Sequence, residues 1–432
     1  MVVVGAGIVG CSCAYELASR GVSVCLVDRG PVSGGTTGLG EGNVLCCDKR
    51  PGAELALAVR GLASFDEIEE LLGDEAGVRR KGALVVHSQE SGWAAEAARL
   101  SALRAAGVSC SMLSADEVRE AEPALSGPLL GASWFPDDLQ CAPRAIARGL
   151  ARRAAGLGAV VETGREVLSI VLNGSNEGRP EPPREGVPHV ASDMRTFRDE
   201  PPGGEGVPHV AADMSPFCVE PPRVEGIATP EGPLFAAHVV LACGAWSAAP
   251  ARTAGLHLPV EPRKGQLVRL ERRPDFLRHK VIDGSYMAAV ESDDARLQVS
   301  TVMETTLDGH VLVGSSRERR GFDVNVDPAV SAALLTAAVR LAPGIATMAT
   351  DAAWAGLRPW LPGGLPAIGP TKAADGLFIA TGHEGAGVAH GPITGRLVAQ
   401  AICGEEPAVE LAPFDPDRFA PGASAARGRG SG

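Results

Sequence analysis

The sequence is poor in aromatic residues: Phe, Trp and Tyr make up 4% of it and only two are tyrosines. No stacking platform for bases or sugars can be built from so few rings. Basic residues are outnumbered, 40 Lys and Arg against 52 Asp and Glu, giving a formal net charge of −12. A surface that follows nucleic-acid phosphates needs the opposite excess, so no nucleic-acid partner is expected. No apolar run reaches the roughly 18 residues of a spanning helix, so no membrane span is expected. The chain passes from Met1 straight into Val2-Val3-Val4, without a charged leader or a small-residue cleavage site. A cytoplasmic location is therefore expected. Ten cysteines occur singly or as near neighbours such as Cys11 and Cys13, never in paired C-x-x-C spacings. No metal site is expected, and the thiols read as small buried hydrophobes.

What is present is a chain of 432 residues, 45% hydrophobic, long enough for more than one domain. Its first thirty residues read strand, tight turn, helix, strand. The turn, Gly5-Ala6-Gly7-Ile8-Val9-Gly10, fits the dinucleotide fingerprint: the first glycine makes the turn, the second admits a pyrophosphate to the backbone, and the third lets helix and strand touch. The helix N-terminus offers unpaired N–H groups and a positive dipole end to phosphates. Asp28 closes the second strand, where a carboxylate takes ribose hydroxyls and disfavours a 2′-phosphate. NAD or FAD remain as candidates.

Between residues 174 and 222 the sequence repeats itself, EPPREGVPHVASDM returning as EPPGGEGVPHVAADM, and two copies and a fraction cannot share a solenoid core. This stretch is expected to be a disordered insertion in a hairpin. Residues 259–322 alternate in the manner of an antiparallel sheet. The last unit runs from the strand LFIAT through the glycine loop GHEGAGVAHGP, with Pro392 as a first-turn residue, into the helix ITGRLVAQAICG.

Four separated stretches in one order are similar to a known family: GAGIVG with Asp28, Gly34-Gly35-Thr36-Thr37-Gly38, VVLACGAWS, and WAGLRPWLPGGLPAIGP followed by GLFIATGHEGAGVAHGP. They resemble the D-amino acid oxidase family of FAD-dependent oxidoreductases, in the branch that contains glycine oxidase, D-hydroxyproline dehydrogenase and the flavoprotein subunit of hydrogen cyanide synthase. The resemblance implies an α/β fold, a Rossmann-type FAD-binding domain with an inserted α+β substrate domain built on an antiparallel sheet. Residues 1–85, 141–258 and 346–415 are expected to form the FAD-binding domain and residues 86–140 and 259–345 the substrate domain, with 416–432 a disordered tail.

The resemblance also places the cofactor. The FAD pyrophosphate would lie on Gly5, Gly7, Ile8, Val9 and Gly10, its ribose on Asp28, and its adenine near Arg29 and the backbone of Val167. Thr36 and Thr37 would bond the phosphates or ribityl chain, Gly42 and Asn43 would pass beside the ring, Ala242 and Gly244 would close over the pyrophosphate, and the ring would meet Gly385, Ala386, Gly387 and Val388. That last placement has its own physical argument, because a helix start there presents N–H groups to the negative charge of a reduced ring.

Arg358 lies among Trp354, Trp360 and Leu361 and needs a partner. The matching arginine of the family holds the substrate carboxylate, which implies an amino or imino acid, although an internal ion pair would also satisfy it. Relatives carry a second arginine where this chain has His383-Glu384, so carboxylate capture is expected to rest on Arg358 alone. Tyr286 would hydrogen-bond the substrate or simply pack. His383 would polarise or carry a proton beside the ring, or turn the loop. The reaction implied is hydride transfer from the amine-bearing carbon to flavin N5. Residues 304–322 resemble dehydrogenase subunits, which points to an iron–sulfur or second flavoprotein partner. The alternative is a non-catalytic FAD-binding subunit for electron relay or assembly.

Overall fold

The computed structural model describes residues 1–174, 221–286 and 296–420. Val2–Val4 lies inside a six-stranded sheet, where three consecutive β-branched residues suit a strand covered on both faces. The strand order is Ala367–Pro370, Leu377–Thr381, Val239–Leu241, Val2–Val4, Cys25–Asp28, Val160–Thr163. All neighbours are parallel except the antiparallel pair formed by Ala367–Pro370 and Leu377–Thr381. The helix Ile8–Ser19 packs on one face between the helices Pro143–Gly156 and Gly387–Cys403. Gly395 makes the second of these contacts close, since a Cβ there would come within 2.5 Å of the Ser12 backbone.

A second sheet has eight strands, ordered Thr350–Trp360, Glu261–Arg272, His310–Arg317, Gln298–Thr305, Lys280–Asp283, Ala83–His87, Gly131–Phe135, Ser111–Ser114. It is antiparallel apart from one parallel pair, Lys280–Asp283 with Ala83–His87. The helix Pro328–Leu341 covers it, burying Val330, Leu334 and Leu341 in a core separate from that under the first sheet. Its Asp327 N-cap accepts from the Ala329 N–H, and Pro328 fits the first turn. A small antiparallel sheet of Leu234–Phe235, Val224–Ala228 and Ser169–Leu172 holds the two ends of the repeat insertion; its duplicated segments lie outside the described residues.

Strand pairing moves two expected domain boundaries. Ala83–His87 straddles the break after residue 85 and belongs wholly to the eight-stranded sheet, and Thr350–Trp360, expected in the FAD-binding part, is an edge strand of that same sheet. Periodicity marks a strand without saying which sheet it joins. The tail also begins later than residue 416. Pro416–Phe419 forms a short turn in which Arg418 donates to the Leu365 and Pro366 carbonyls, at 2.6 and 3.1 Å. Asp417 accepts from the Thr371 hydroxyl and the Lys372 N–H. Residues 421–432 lie outside the described residues.

Asp417→Ala leaves that Lys372 N–H and the Thr371 hydroxyl without their acceptor, a loss of about 1–3 kcal/mol. A lower midpoint in thermal unfolding is expected, and an unchanged midpoint would mean the turn is not docked.

Candidate active site

The cofactor end is assembled by backbone. Gly5 has φ +106°, and a Cβ there would lie 2.4 Å from the Ala242 carbonyl oxygen; a Cβ on Gly10 would lie 1.8 Å from the Gly5 oxygen. Asp28 fastens the turn, its carboxylate accepting from the Ala6 N–H at 2.6 Å and the Gly30 N–H at 2.7 Å. Gly7, the N-cap of the first helix, has no side chain to bond the first-turn N–H groups, which have no helical acceptor of their own. Thr37 Oγ1 accepts the first of them, from Ile8, at 3.0 Å.

From this turn a cavity of about 520 Å³ runs past Arg29, Val167 and Trp246 at one end to Arg358, Gly385, Gly387 and Val388 at the other. Every site residue expected from the sequence lines it except Gly10 and Ala386. Gly10 instead sets the contact between helix and strand, and Ala386 turns the loop by donating its N–H to the His383 carbonyl at 2.9 Å. Thr36 is at the wall, but its hydroxyl donates to the Leu357 carbonyl at 2.6 Å, which spends the proton expected for a phosphate or ribityl oxygen.

At the far end the closing helix begins at Gly387, so Pro392 is inside it and not in its first turn. The glycines ahead of Pro392 had read as loop, yet Gly391 is needed only for close packing on Ile8. The earlier start places the N–H groups of Gly387 and Val388 at the cavity. His383 is 4% exposed and pairs through Nε2 with the Thr394 hydroxyl at 3.0 Å. Burial pushes its imidazole down to about 3, so it is neutral at physiological pH. It can exchange a hydrogen bond there and cannot serve as a cation.

Adjacent strands bring two further arginines close to Arg358. Arg263 and Arg358 stand directly opposite each other in the antiparallel pair of Glu261–Arg272 and Thr350–Trp360. Arg317 ends the next strand, 1% exposed, and donates through Nη2 to the Tyr286 hydroxyl at 2.8 Å while its guanidinium lies over that ring. Arg358 donates to the Ser316 carbonyl at 2.9 Å. Glu384 faces all three guanidiniums: its Oε1 is 3.4 Å from Arg317, 3.7 Å from Arg263 and 4.0 Å from Arg358. Burial opposes its charge, but these arginines overcome that and hold the carboxyl down at about 2.

Two further arginines stand near Arg358, although of the three it alone lines the cavity. The two further arginines come from the sheet, and their signal was present in strand alternation, since EPRKG and VGSSR put Arg263 and Arg317 on strands of the inserted sheet. Nothing in one sequence said that these strands would be neighbours.

Behind the wall, Lys280 Nζ bridges Glu41 at 2.8 Å and Glu304 at 3.3 Å, and Lys81 meets Glu304 at 3.0 Å. Burial pushes the Glu41 carboxyl up, but Lys280 with Asn43 prevails and holds it low. The expected Asn43 thus acts first on Glu41, donating from Nδ2 at 2.8 Å.

These residues fit FAD. Gly5 and Gly10 admit no Cβ, the helix start has first-turn N–H groups without a helical acceptor, of which Thr37 takes that of Ile8, Asp28 lies where a ribose is expected, and the cavity extends from Arg29 to Val388. The family described as DAO, FAD dependent oxidoreductase, matches residues 1–187 and 218–401. The chain belongs to this FAD-dependent oxidoreductase family. It is 37% identical to the glycine oxidase of Pseudomonas aeruginosa over 190 residues, which is 44% of this chain and 48%, about half, of that enzyme. The glycine oxidase of Geobacillus kaustophilus is 28% identical over 419 residues, covering 95% of each chain. Its crystal structure superposes with a TM-score of 0.76 at 25% identity over 97% of this chain and 98% of that one. The iminodiacetate oxidase of Chelativorans sp. BNC1 superposes with a TM-score of 0.74 at 25% identity over 96% and 98%.

Two outcomes follow from this geometry. Gly10→Val drives a side chain into the Gly5 carbonyl, and loss of yellow flavin from the purified protein is expected; retention of stoichiometric FAD would contradict the close contact. The depressed imidazole of His383 means that its contribution to stability is complete above its ordinary value of 6.5 and is lost as pH falls from there toward about 3. His390, buried and pushed well below its ordinary value, adds to the same slope. Chemical unfolding is expected to show stability declining below pH 6.5, with a shallower decline in His383→Gln.

Proposed function

We propose that this chain oxidises an amino or imino acid at its amine-bearing carbon, with Arg358 holding the substrate carboxylate. The observation that carries the reading is the position of that guanidinium in the cavity wall, its Nε 3.7 Å from where a Cβ on Gly385 would lie, beside the helix start at Gly387. Bound FAD would supply the acceptor for the two electrons and the hydrogen that leave the carbon. The chain supplies placement. Two parallel N–H groups on Arg358 match a carboxylate and fix its orientation, a charge-assisted contact of roughly 1.5–3 kcal/mol. The Gly387 and Val388 N–H groups favour negative charge at the ring end. Tyr286, its hydroxyl accepting from Arg317, keeps its own proton to donate toward the cavity. With His383 neutral and bonded to Thr394, the amine has to arrive unprotonated, so turnover should rise with pH through the amine's own titration.

A decayed, non-catalytic subunit would have no reason to keep Arg358 in the cavity wall beside Gly385, and its retention there favours the enzyme. The support for a dehydrogenase with an iron–sulfur or second flavoprotein partner is the sequence likeness at residues 304–322. Much of that stretch is strand His310–Arg317, buried between two other strands, where it builds the arginine wall and offers a partner little surface. A cytoplasmic location is supported by the nine described cysteines, all free, and among the described residues no helix is long and apolar enough to cross a membrane.

Anaerobic titration with glycine, sarcosine, D-alanine, D-proline, L-proline and dicarboxylic amines is expected to bleach the flavin with at least one of them. Arg358→Met is expected to raise the half-saturating concentration about 10- to 100-fold. Bleaching by none of them would overturn the reading. Reoxidation by an artificial dye but not by oxygen would support the dehydrogenase arm, and rapid reoxidation by oxygen would replace it with an oxidase.

A further inference from the structure

Glu41 has no task in the proposed function, yet it lines the same cavity as Arg358. Its side chain is 10% exposed, and one of its carboxylate oxygens is used: Oε2 accepts from Lys280 Nζ at 2.8 Å and from Asn43 Nδ2 at 2.8 Å. Oε1 accepts no hydrogen bond among the described residues. A carboxylate largely out of water normally has partners on both oxygens, so the second is open to a ligand.

The sheet clears space for this carboxylate as it does for Arg358. A Cβ on Gly265 would lie 2.0 Å from Arg358 Nη1, and a Cβ on Gly314, in the neighbouring strand, would lie 2.7 Å from Glu41 Oε1 and 2.4 Å from Leu267 Cδ2. Gly265 and Leu267 both line the cavity, so the guanidinium and the carboxylate cross one face of the eight-stranded sheet. Val268 pairs with Val313, which puts Gly314 beside Leu267. Two residues along a strand and one strand across separate the positions of Gly265 and Gly314 by about 8 Å. An α-amino acid spans a similar length, with about 3 Å between its nitrogen and a carboxylate oxygen and a hydrogen bond of about 2.9 Å at each end.

We propose that Glu41 Oε1 accepts a hydrogen bond from the substrate amine and is the anion beside which that nitrogen becomes positive, so that Arg358 and Glu41 grip one amino or imino acid at its two ends. This rests on the reading of the site as an amino acid oxidising centre and adds a residue that touches the reacting nitrogen. When the C–H bond breaks, its electron pair leaves with the hydrogen as hydride for the flavin, and the nitrogen lone pair forms the C=N bond. The neutral amine becomes an iminium cation, and an anion fixed beside it is worth more after the step than before. Before the step the same charge favours the protonated amine, which has no lone pair to give, so Glu41 raises the pH at which turnover begins. The neighbouring groups stay out of that range. Burial pushes the Tyr286 phenol up and the His383 imidazole down to about 3, and the arginines hold Glu384 at about 2 against burial. Burial also opposes the charge on Lys280, but Glu304 and Glu41 prevail and keep it protonated. Burial pushes Glu41 itself up, and Lys280, Asn43 and Arg358 together hold it low, so it keeps its charge.

The test compares Glu41→Gln with the unaltered holoenzyme. Two ligands of one shape are titrated against the flavin spectrum: 2-aminoisobutyrate, which has no hydrogen on its α-carbon to lose, and pivalate, which has a methyl group in place of the amine. The unaltered protein is expected to bind 2-aminoisobutyrate at least about 10-fold more tightly, and Glu41→Gln to lose most of that preference with pivalate little changed. In anaerobic flavin reduction by the best substrate, Glu41→Gln is expected to lower the limiting rate about 100-fold and to move its pH midpoint down by about one unit. Loss of packing alone would lower the rate without moving the midpoint. Where the variant does not retain FAD, the ligand pair on the unaltered protein decides, and pivalate binding as tightly as 2-aminoisobutyrate overturns the proposal. An unchanged ligand preference or pH midpoint in Glu41→Gln overturns it too. Each of these leaves amino acid oxidation standing, whereas no flavin bleaching with any amine would overturn both.

Discussion

Two guanidiniums, Arg263 and Arg358, face each other across neighbouring strands, and much of the site is arranged so that this repelling pair can stay charged out of water. Each is held by the sheet that brings it there. Arg358 is bonded to the Ser316 carbonyl, and Arg263 reaches Gln298 Oε1 at 3.4 Å. Glu384 relieves part of the repulsion from the opposite side, on a loop that belongs to the nucleotide-binding sheet. Through Glu384 the arginines of one sheet are tied to a loop of the other.

The strand Thr350–Trp360 is the seam. It packs against the turns at Thr36–Leu39, Gly244–Trp246 and Glu384–Ala386, all of which line or border the cavity. Its Leu357 carbonyl takes the Thr36 hydroxyl, and its Trp354 Nε1–H donates to the Leu39 carbonyl at 3.0 Å. Groups that might have served a ligand are used to fix the distance between the cofactor end and the arginine wall. In a site whose contribution is placement, a rigid seam serves the chemistry as directly as a side chain in the cavity.

The sequence made the cofactor end legible because its constraints are local. A glycine at position 10 is required by an oxygen five residues earlier, and Asp28 answers the turn from the end of the very next strand. Arg358 was legible because a charge among tryptophans needs an explanation wherever the chain goes. Arg317 and Arg263 were not, since their meaning depends on which strands become neighbours, a long-range fact that alternation does not carry. Local signals also misled: Pro392 looked like a helix start, but Gly387 already has helical backbone and the missing N–H of Pro392 is tolerated within the helix. Asp417 and Arg418 looked like tail because their partners, Thr371 and Leu365, lie some fifty residues away.

The central claim is that one cavity brings an extended FAD, gripped by the Gly5–Gly10 turn, to a ring end bounded by Gly387 and Arg358. A crystal structure of the FAD-loaded protein with an amino or imino acid bound after flavin reduction would test it directly. The account predicts the cofactor phosphates on the first helix start and a substrate carboxylate within hydrogen-bond distance of Arg358. A ligand seated elsewhere, with the Arg358 guanidinium still bonded only to protein, would contradict it.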